Sequence, residues 1–576
     1  MRSSSAPAGS TRAESQLILW CARTRLDAGR AEPVRAMLRE GMDLAYVAAT
    51  ALRHNVEPLL YWHLRALCPE AVPAAWTDLL RPAFESSVRR SLKLTAELCL
   101  ILEAFEAKGI LAVPYKGPTL AAFAYGNLAL RDFIDLDLVV RSQDIAEACK
   151  LLVAQGYRLE LDLAAARETS RQRVPGQYLF TRPGSREIVE LHTPLTLRYY
   201  PVPLDLDRLG QRLQPVALGG REIRTFSAED SLTMLCVHSS KHFWERLKWV
   251  CDIAELVQIP RGINWELAQE EARRLGCERM LFLGLRLAND LLEAPLPEEV
   301  LRQVQASGAV QSLAADVRSR LFRDDLMVRG VAQRLFFRLR MSENLWAGAR
   351  YCLRLATSPT EEDWARVRLP APLAPLYAVL RPFRLLRSHG LGLARRRAPD
   401  LAPFQPAPPE VVQGMLTLAE LGPGDVLYDL GCGDGRIVVT AAERFGIRAV
   451  GVDIDPRRIA EAKANARRHG VRHLVQFLRQ DLRTVDVSEA TVVVLYLGLS
   501  ANLLLRQRLL EQLRSGARVI SADFDMADWW PEKTKRIENP GGVGWTVYLW
   551  RVEKPAKQTS PGQDFSGRVS AEIAGR

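Results

Sequence analysis

The sequence predicts a multidomain α/β protein, with a helical α+β region followed by a Rossmann-like domain of seven strands. Three observations carry this reading. The 576 residues exceed what one hydrophobic core serves, so about three domains are expected. The stretch Tyr428-Asp429-Leu430-Gly431-Cys432-Gly433-Asp434-Gly435-Arg436 joins a buried-strand pattern to a helical one, and strand and helix patterns alternate from there to Val552. Before residue 408 helical periodicity dominates, interrupted by strand patterns at Ile110–Tyr115, Asp135–Val140 and Glu187–His192.

Composition excludes several classes. Hydrophobic content of 48% and charged content of 25% are globular values. The net charge of +11 is spread along the chain, and the basic clusters at Arg381–Arg397 and in the tail lack interleaved aromatics, so no nucleic-acid signal stands out. Nine cysteines lie singly with no C-x-x-C pair, which points to buried thiols rather than a disulfide framework or a zinc site. Met1–Glu14 has no apolar core of a secretory signal, and no apolar run is long enough for a bilayer. A cytoplasmic protein is expected.

In chain order, residues 1–14 are expected to be disordered. Residues 15–107 form an all-helical leader with patterns at Val34–Leu38, Leu44–His54 and Ser86–Ala107. Residues 108–225 form an α/β core. There Lys116-Gly117-Pro118-Thr119 follows the first strand, a helix covers Leu120–Tyr125, and Asp135 and Asp137 project from one face of the next strand. Two carboxylates on one face of an apolar strand repel each other unless a cation lies between them. Mg²⁺, held by one or two carboxylates plus substrate phosphates, suits such a pair, and the third strand brings Glu190 beside it.

Lys116-Gly117, Tyr125-Gly126, Arg131, Asp135-x-Asp137 and Glu190 resemble the polymerase-β-like nucleotidyltransferase superfamily, within it an uncharacterised bacterial group. The resemblance implies that Asp135, Asp137 and Glu190 are metal-binding and catalytic, that Lys116 and Gly117 meet the nucleotide, and that Mg²⁺ and a nucleoside triphosphate are bound. Pro118 stands where that superfamily has serine, and the gap to Asp135 is longer than usual. A degenerate fold, or a non-catalytic module that binds substrate, is the alternative.

Residues 226–389 read as helical. Ala228–Val257 carries His238, Lys241-His242, Trp244, Arg246, Trp249 and Asp252, a series also found in the same bacterial group. His238 and His242 are i, i+4 neighbours, but no third ligand is apparent and packing or base stacking is preferred over a metal. Leu376–Arg397 is amphipathic and basic, read as a closing helix rather than a membrane contact. Residues 390–407, rich in Gly, Arg and Pro, are the expected linker.

Residues 408–553 are the Rossmann-like domain: a leading helix Glu410–Leu421, strands ending at Leu430, Asp453, Leu478, Tyr496 and Ala522, helices between them, and a closing hairpin Lys533–Ile537 with Trp545–Val552. The spacing Gly431-x-Gly433-x-Gly435 departs from the dinucleotide fingerprint. With Asp429 at the strand end and Asp453 ending the next strand, it resembles motif I of the class I S-adenosylmethionine-dependent methyltransferases, a plain nucleotide-binding turn being the alternative. The resemblance implies a cofactor site of Asp429, Gly431, Gly433, Gly435 and Asp453 (on the ribose), with Asp481 near the adenine amino group. Phe404-Gln405-Pro406, Leu495-Tyr496-Leu497 and Ser521–Met526 extend it to small bacterial relatives of the mitochondrial lysine methyltransferases that modify ATP synthase and carrier proteins. It implies Tyr496 as a catalytic residue and an amine acceptor, with Asp523 and Asp525 nearby. A small-molecule acceptor remains open, since Gly498-Leu499-Ser500 replaces the Leu-Pro step of those relatives. Residues 554–576 are expected to be disordered.

Overall fold

The computed structural model describes residues 12–26, 28–67, 74–159, 177–182, 188–193, 205–322, 331–357, 376–385, 406–524, 526, 529, 531–538 and 544–553. The expectations for residues 1–11, the linker 390–405, Asp525 and the tail 554–576 lie outside them.

Helices of the leader and of residues 228–321 share one hydrophobic core, from Leu17 and Ile18 through Trp244, Leu285 and Leu313. Their ends are capped where the sequence supplies a capping group. Ser227 Oγ accepts from Asp230 N–H at the start of helix Ala228–Lys241, and Asn264 Oδ1 accepts from Leu267 N–H at the start of Trp265–Leu275, which closes on left-handed Gly276. The long helix starts at Ala74 rather than Ser86 and runs to Glu106, with Pro82 inside it. Proline removes one backbone hydrogen bond, and here that loss does not end the helix.

Under this helical body lies a mixed sheet in the order β1-β2-β5-β4-β3, formed by β1 (Ala112–Pro114), β2 (Asp135–Val140), β3 (Arg158–Leu159), β4 (Gln177–Thr181) and β5 (Ile188–His192). β2 and β5 are parallel, in a register that puts Asp137 opposite Glu190. A separate hairpin pairs β6 (Gln214–Leu218) with β7 (Arg221–Thr225).

The second sheet has seven strands: β8 (Val426–Leu430), β9 (Arg448–Asp453), β10 (Val475–Arg479), β11 (Val492–Leu495), β12 (Arg518–Ala522), β13 (Lys533–Glu538) and β14 (Gly544–Arg551). Their order is β10-β9-β8-β11-β12-β14-β13, with β14 antiparallel to its neighbours. The central strands are near-continuous apolar runs because both faces are covered by side-chain clusters, one including Val438, Val494 and Val547, the other Leu430, Val493 and Trp550. The order reverses between β8 and β11, so a crevice opens at their carboxyl ends.

Candidate functional site

At that crevice the chain leaves β8 through Gly431, Gly433 and Gly435, with φ of 91°, 52° and 78°. Side chains strain this left-handed region, which is why glycine recurs. A Cβ at Gly431 would approach Leu497 to 2.7 Å, and one at Gly435 would approach Ala462 to 2.8 Å. The loop is tied on both sides: Gly433 N–H donates to Asp453 Oδ2 at 2.9 Å, and Asn465 Nδ2 donates to the Asp434 carbonyl at 2.8 Å. Helix Arg436–Phe445 starts directly behind it.

Asp429, at the end of β8, is buried, and neither of its carboxylate oxygens has a hydrogen-bond partner among the described residues. Burial, then the charges of Asp453 and Asp434, push its carboxyl up to about 8. Two orphaned acceptors beside a glycine cradle fit a ligand bearing a donor or a positive charge, which S-adenosylmethionine carries. The sign for stability follows. Unfolded Asp429 ionises near its ordinary value of 3.8, folded Asp429 near 8, so cofactor-free stability should fall as pH rises across that window. We expect Asp429→Asn to flatten this fall, read as melting temperature against pH without cofactor; an unchanged slope would contradict the burial argument.

The other residues expected here are placed as follows. Asp453 ends β9, its Oδ1 accepting from Asp455 N–H. Asp481 lies just past β10, but its carboxylate is engaged by Arg483, which donates from its backbone and, at 2.7 Å, from its guanidinium. Tyr496 follows β11, half-buried and within the field of Arg436. Asp523 follows β12 in a left-handed conformation, φ 67°, its backbone N–H donating to the Thr546 carbonyl. Asn502, not singled out from sequence, is fully buried and ties this edge together by donating to Ser521 Oγ and the Phe524 carbonyl.

In the N-terminal sheet the cation between the carboxylates is the chain's own. Lys116 Nζ lies 2.9 Å from Asp137 Oδ1, and His192 Nε2 lies 3.0 Å from the same oxygen and 3.5 Å from Glu190 Oε2. Gly117 (φ 55°) lets this turn press against β2, where a Cβ would meet the Asp135 carbonyl at 3.1 Å. Burial raises the Asp137 carboxyl, but Lys116 and His192 outweigh it and hold the group far below the usual carboxylate range. Asp135 goes the other way, pushed up by burial and then by Asp137. The pair therefore carries one firm negative charge and one weakened one.

Asp137, Glu190 and His192 offer ligand atoms within 4.8 Å of one another, while Asp135 stands on the same face but outside that trio. Asp137 Oδ2 is buried without a partner among the described residues, so two carboxylates and an imidazole fit a divalent ion. The sequence reading overlooked His192, although its i, i+2 spacing from Glu190 on one strand carried the signal. No described helix is long and apolar enough to cross a membrane.

Comparison with known proteins gives two matches on one chain. Residues 40–293 match the family described as an uncharacterised nucleotidyltransferase, and residues 429–533 match the ANTKMT methyltransferase domain. A protein-lysine N-methyltransferase of Saccharolobus islandicus is 42% identical over 26% of this chain and 93% of its own length. The adenine nucleotide translocase lysine N-methyltransferase of Mus musculus is 36% identical over 22% of this chain and 56% of its own length. Among solved structures, an RNA methyltransferase from Salinibacter ruber with S-adenosyl-L-homocysteine is 49% identical, covering 26% of this chain and 97% of that one, with a TM-score of 0.25.

Proposed function

This chain belongs, through its C-terminal domain, to the ANTKMT methyltransferase family, and from that premise we propose that it methylates a lysine ε-amine on a protein. It is an S-adenosylmethionine-dependent methyltransferase; the acceptor is our reading. The observation that carries it is the 42% identity along 93% of a relative named as a protein-lysine N-methyltransferase.

When bound, S-adenosylmethionine supplies a methyl group already activated by its sulfonium. The chain's own work is alignment and exclusion of water. The cradle Gly431–Gly435 lets a ligand approach the backbone, Asp429 offers two buried carboxyl oxygens without protein partners among the described residues, and Asp453 holds the cradle while leaving lone pairs for hydroxyls. Tyr496 and Asp523, which follow β11 and β12, would orient the amine. Only the neutral amine has a lone pair, and free lysine titrates near pH 10.4.

Methyl transfer at saturating cofactor should therefore rise steadily across roughly pH 7 to 9. Cell extract incubated with the purified chain and labelled cofactor should yield methyl-lysine after acid hydrolysis of its protein. Label confined to a small metabolite or to RNA would end the protein-lysine reading.

A second reading is Mg²⁺-dependent nucleotidyl transfer by the N-terminal domain, favoured by the partnerless Asp137 Oδ2 beside Glu190 and His192. Asp137 and Glu190 would hold the ion through carboxylate oxygens, with Asp135 alongside and His192 hydrogen-bonded to Asp137 to position it. A divalent ion there supplies the positive charge that a polyphosphate needs when it meets carboxylates.

A further inference from the structure

The glycine turn of the N-terminal domain has little with which to hold phosphate. Lys116 is paired with Asp137, and Pro118 has no backbone N–H to donate. The helix it opens is irregular, Gly117–Leu120 passing directly into a π-helical stretch Ala121–Tyr125. A second set of basic side chains lies toward the same carboxylates on helix Ala228–Lys241 and just past its end.

Along that helix Met234, His238 and Lys241 recur at helical spacing and share a face. Met234 packs with Val113, Tyr115 and Val139 of the sheet, which turns the following residues toward Lys116 and Asp137. The other cations of this region have protein acceptors. Arg338 donates to the Tyr351 hydroxyl and the Lys241 carbonyl, Lys248 to the Asp132 carbonyl, and Arg246 to Asn55. Lys241 is half-buried, and its ammonium has no acceptor among the described residues. Beside it the His242 ring lies 5.2 Å from the Trp249 ring and 4.8 Å from the His238 ring.

The local field agrees. Burial, then Lys116, lower the Lys241 ammonium below the ordinary lysine range; burial, then Lys241, lower His242 to about 3; burial, then Lys116, hold His238 well below its usual value. Both imidazoles are therefore neutral, which leaves Lys241 as the cation this pocket presents to an anion.

The residues that present Lys241 are held under strain. Phe243 and Trp244, which follow helix Ala228–Lys241 directly, are both left-handed, with φ of 58° and 55°. Side chains adopt this region only at a cost, and such strain concentrates at ligand sites. It is held by burying Trp244 against Gly284 and by the Trp244 Nε1 hydrogen bond to Ser240 Oγ.

We propose that Lys241, with the His242–Trp249 ring pair beside it, binds the polyphosphate of a nucleoside triphosphate whose metal ion would sit at Asp137 and Glu190. This chain thereby shifts the phosphate grip from the glycine turn to the end of a helix. The proposal rests on the nucleotidyl reading for the identity of its ligand, and the test separates the two.

The full-length chain is titrated with inorganic tripolyphosphate and Mg²⁺ by calorimetry, and in parallel with nucleoside triphosphates. Tripolyphosphate should bind. Lys241→Met should weaken it about tenfold or more, as loss of a charge-assisted contact does, while Lys241→Arg, which keeps the charge, should retain most of the affinity. Circular dichroism and melting temperature check that both variants fold. Equal binding by folded Lys241→Met and wild type, or no tripolyphosphate binding by wild type, overturns the proposal. If tripolyphosphate binds through Lys241 and no nucleoside triphosphate binds, the anion site stands and the nucleotidyl reading falls. If a nucleoside triphosphate binds wild type and Lys241→Met alike, the reading stands and the anion site falls.

Discussion

Asp252→Ala is expected to be among the most destabilising single changes in the N-terminal domain. Arg131 reaches Asp252 through Nε at 2.8 Å and Nη2 at 3.0 Å, and the Tyr125 hydroxyl donates to the same carboxylate at 2.8 Å. Arg131 is 5% exposed and Asp252 1%, so alanine would leave a buried guanidinium and a buried phenol without their acceptor. Breaking a buried pair from one side costs about 3–5 kcal/mol, whereas replacing both partners by apolar groups is often close to neutral. The double variant Arg131→Met, Asp252→Leu should therefore recover much of the loss. Urea unfolding reads this in the transition that added S-adenosylmethionine leaves in place. A single variant no less stable than the double would show that the pair is not desolvated as described.

The second large effect is on cofactor affinity. Asp453→Ala removes the acceptor of the Gly433 N–H and, in the cofactor site proposed above, the carboxylate that would meet the ribose hydroxyls. A lost charge-assisted hydrogen bond is worth about 1.5–3 kcal/mol, which is one to two orders of magnitude in affinity. Calorimetry of S-adenosylmethionine binding checks this, and unchanged affinity in a folded Asp453→Ala chain would displace the ribose from β9.

The cofactor domain was legible because its information is local. Asp429 and Asp453 are strand-end residues whose position follows from hydrophobic periodicity, and helix Pro456–Arg468 has the boundaries expected from its Pro and cap signals. The approach of Glu190 to the aspartates also followed, since alternation puts charges on one face of each strand, while the register that sets Asp137 opposite Glu190 came from the structure. The pairing of Lys116 with Asp137 was not legible, because which cation occupies a carboxylate pair depends on where a turn folds back. The engagement of Asp481 by Arg483 had a local signal, an acid two residues before a backbone donor. The antiparallel β3–β4 pairing was missed because Arg158–Leu159 is too short to show a period.

Gly284 carries a consequence out of proportion to its chemistry. It sits inside helix Glu278–Leu292, where alanine would ordinarily be the better helix former. A methyl group there would stand 2.4 Å from Cys236 Sγ and 2.9 Å from the Trp244 ring. Helix propensity therefore favours a change that packing forbids, and an inherited variant at this position would act at a distance. By unseating Trp244 it would loosen the bend that aims Lys241, so a residue that touches no ligand governs whether one is received.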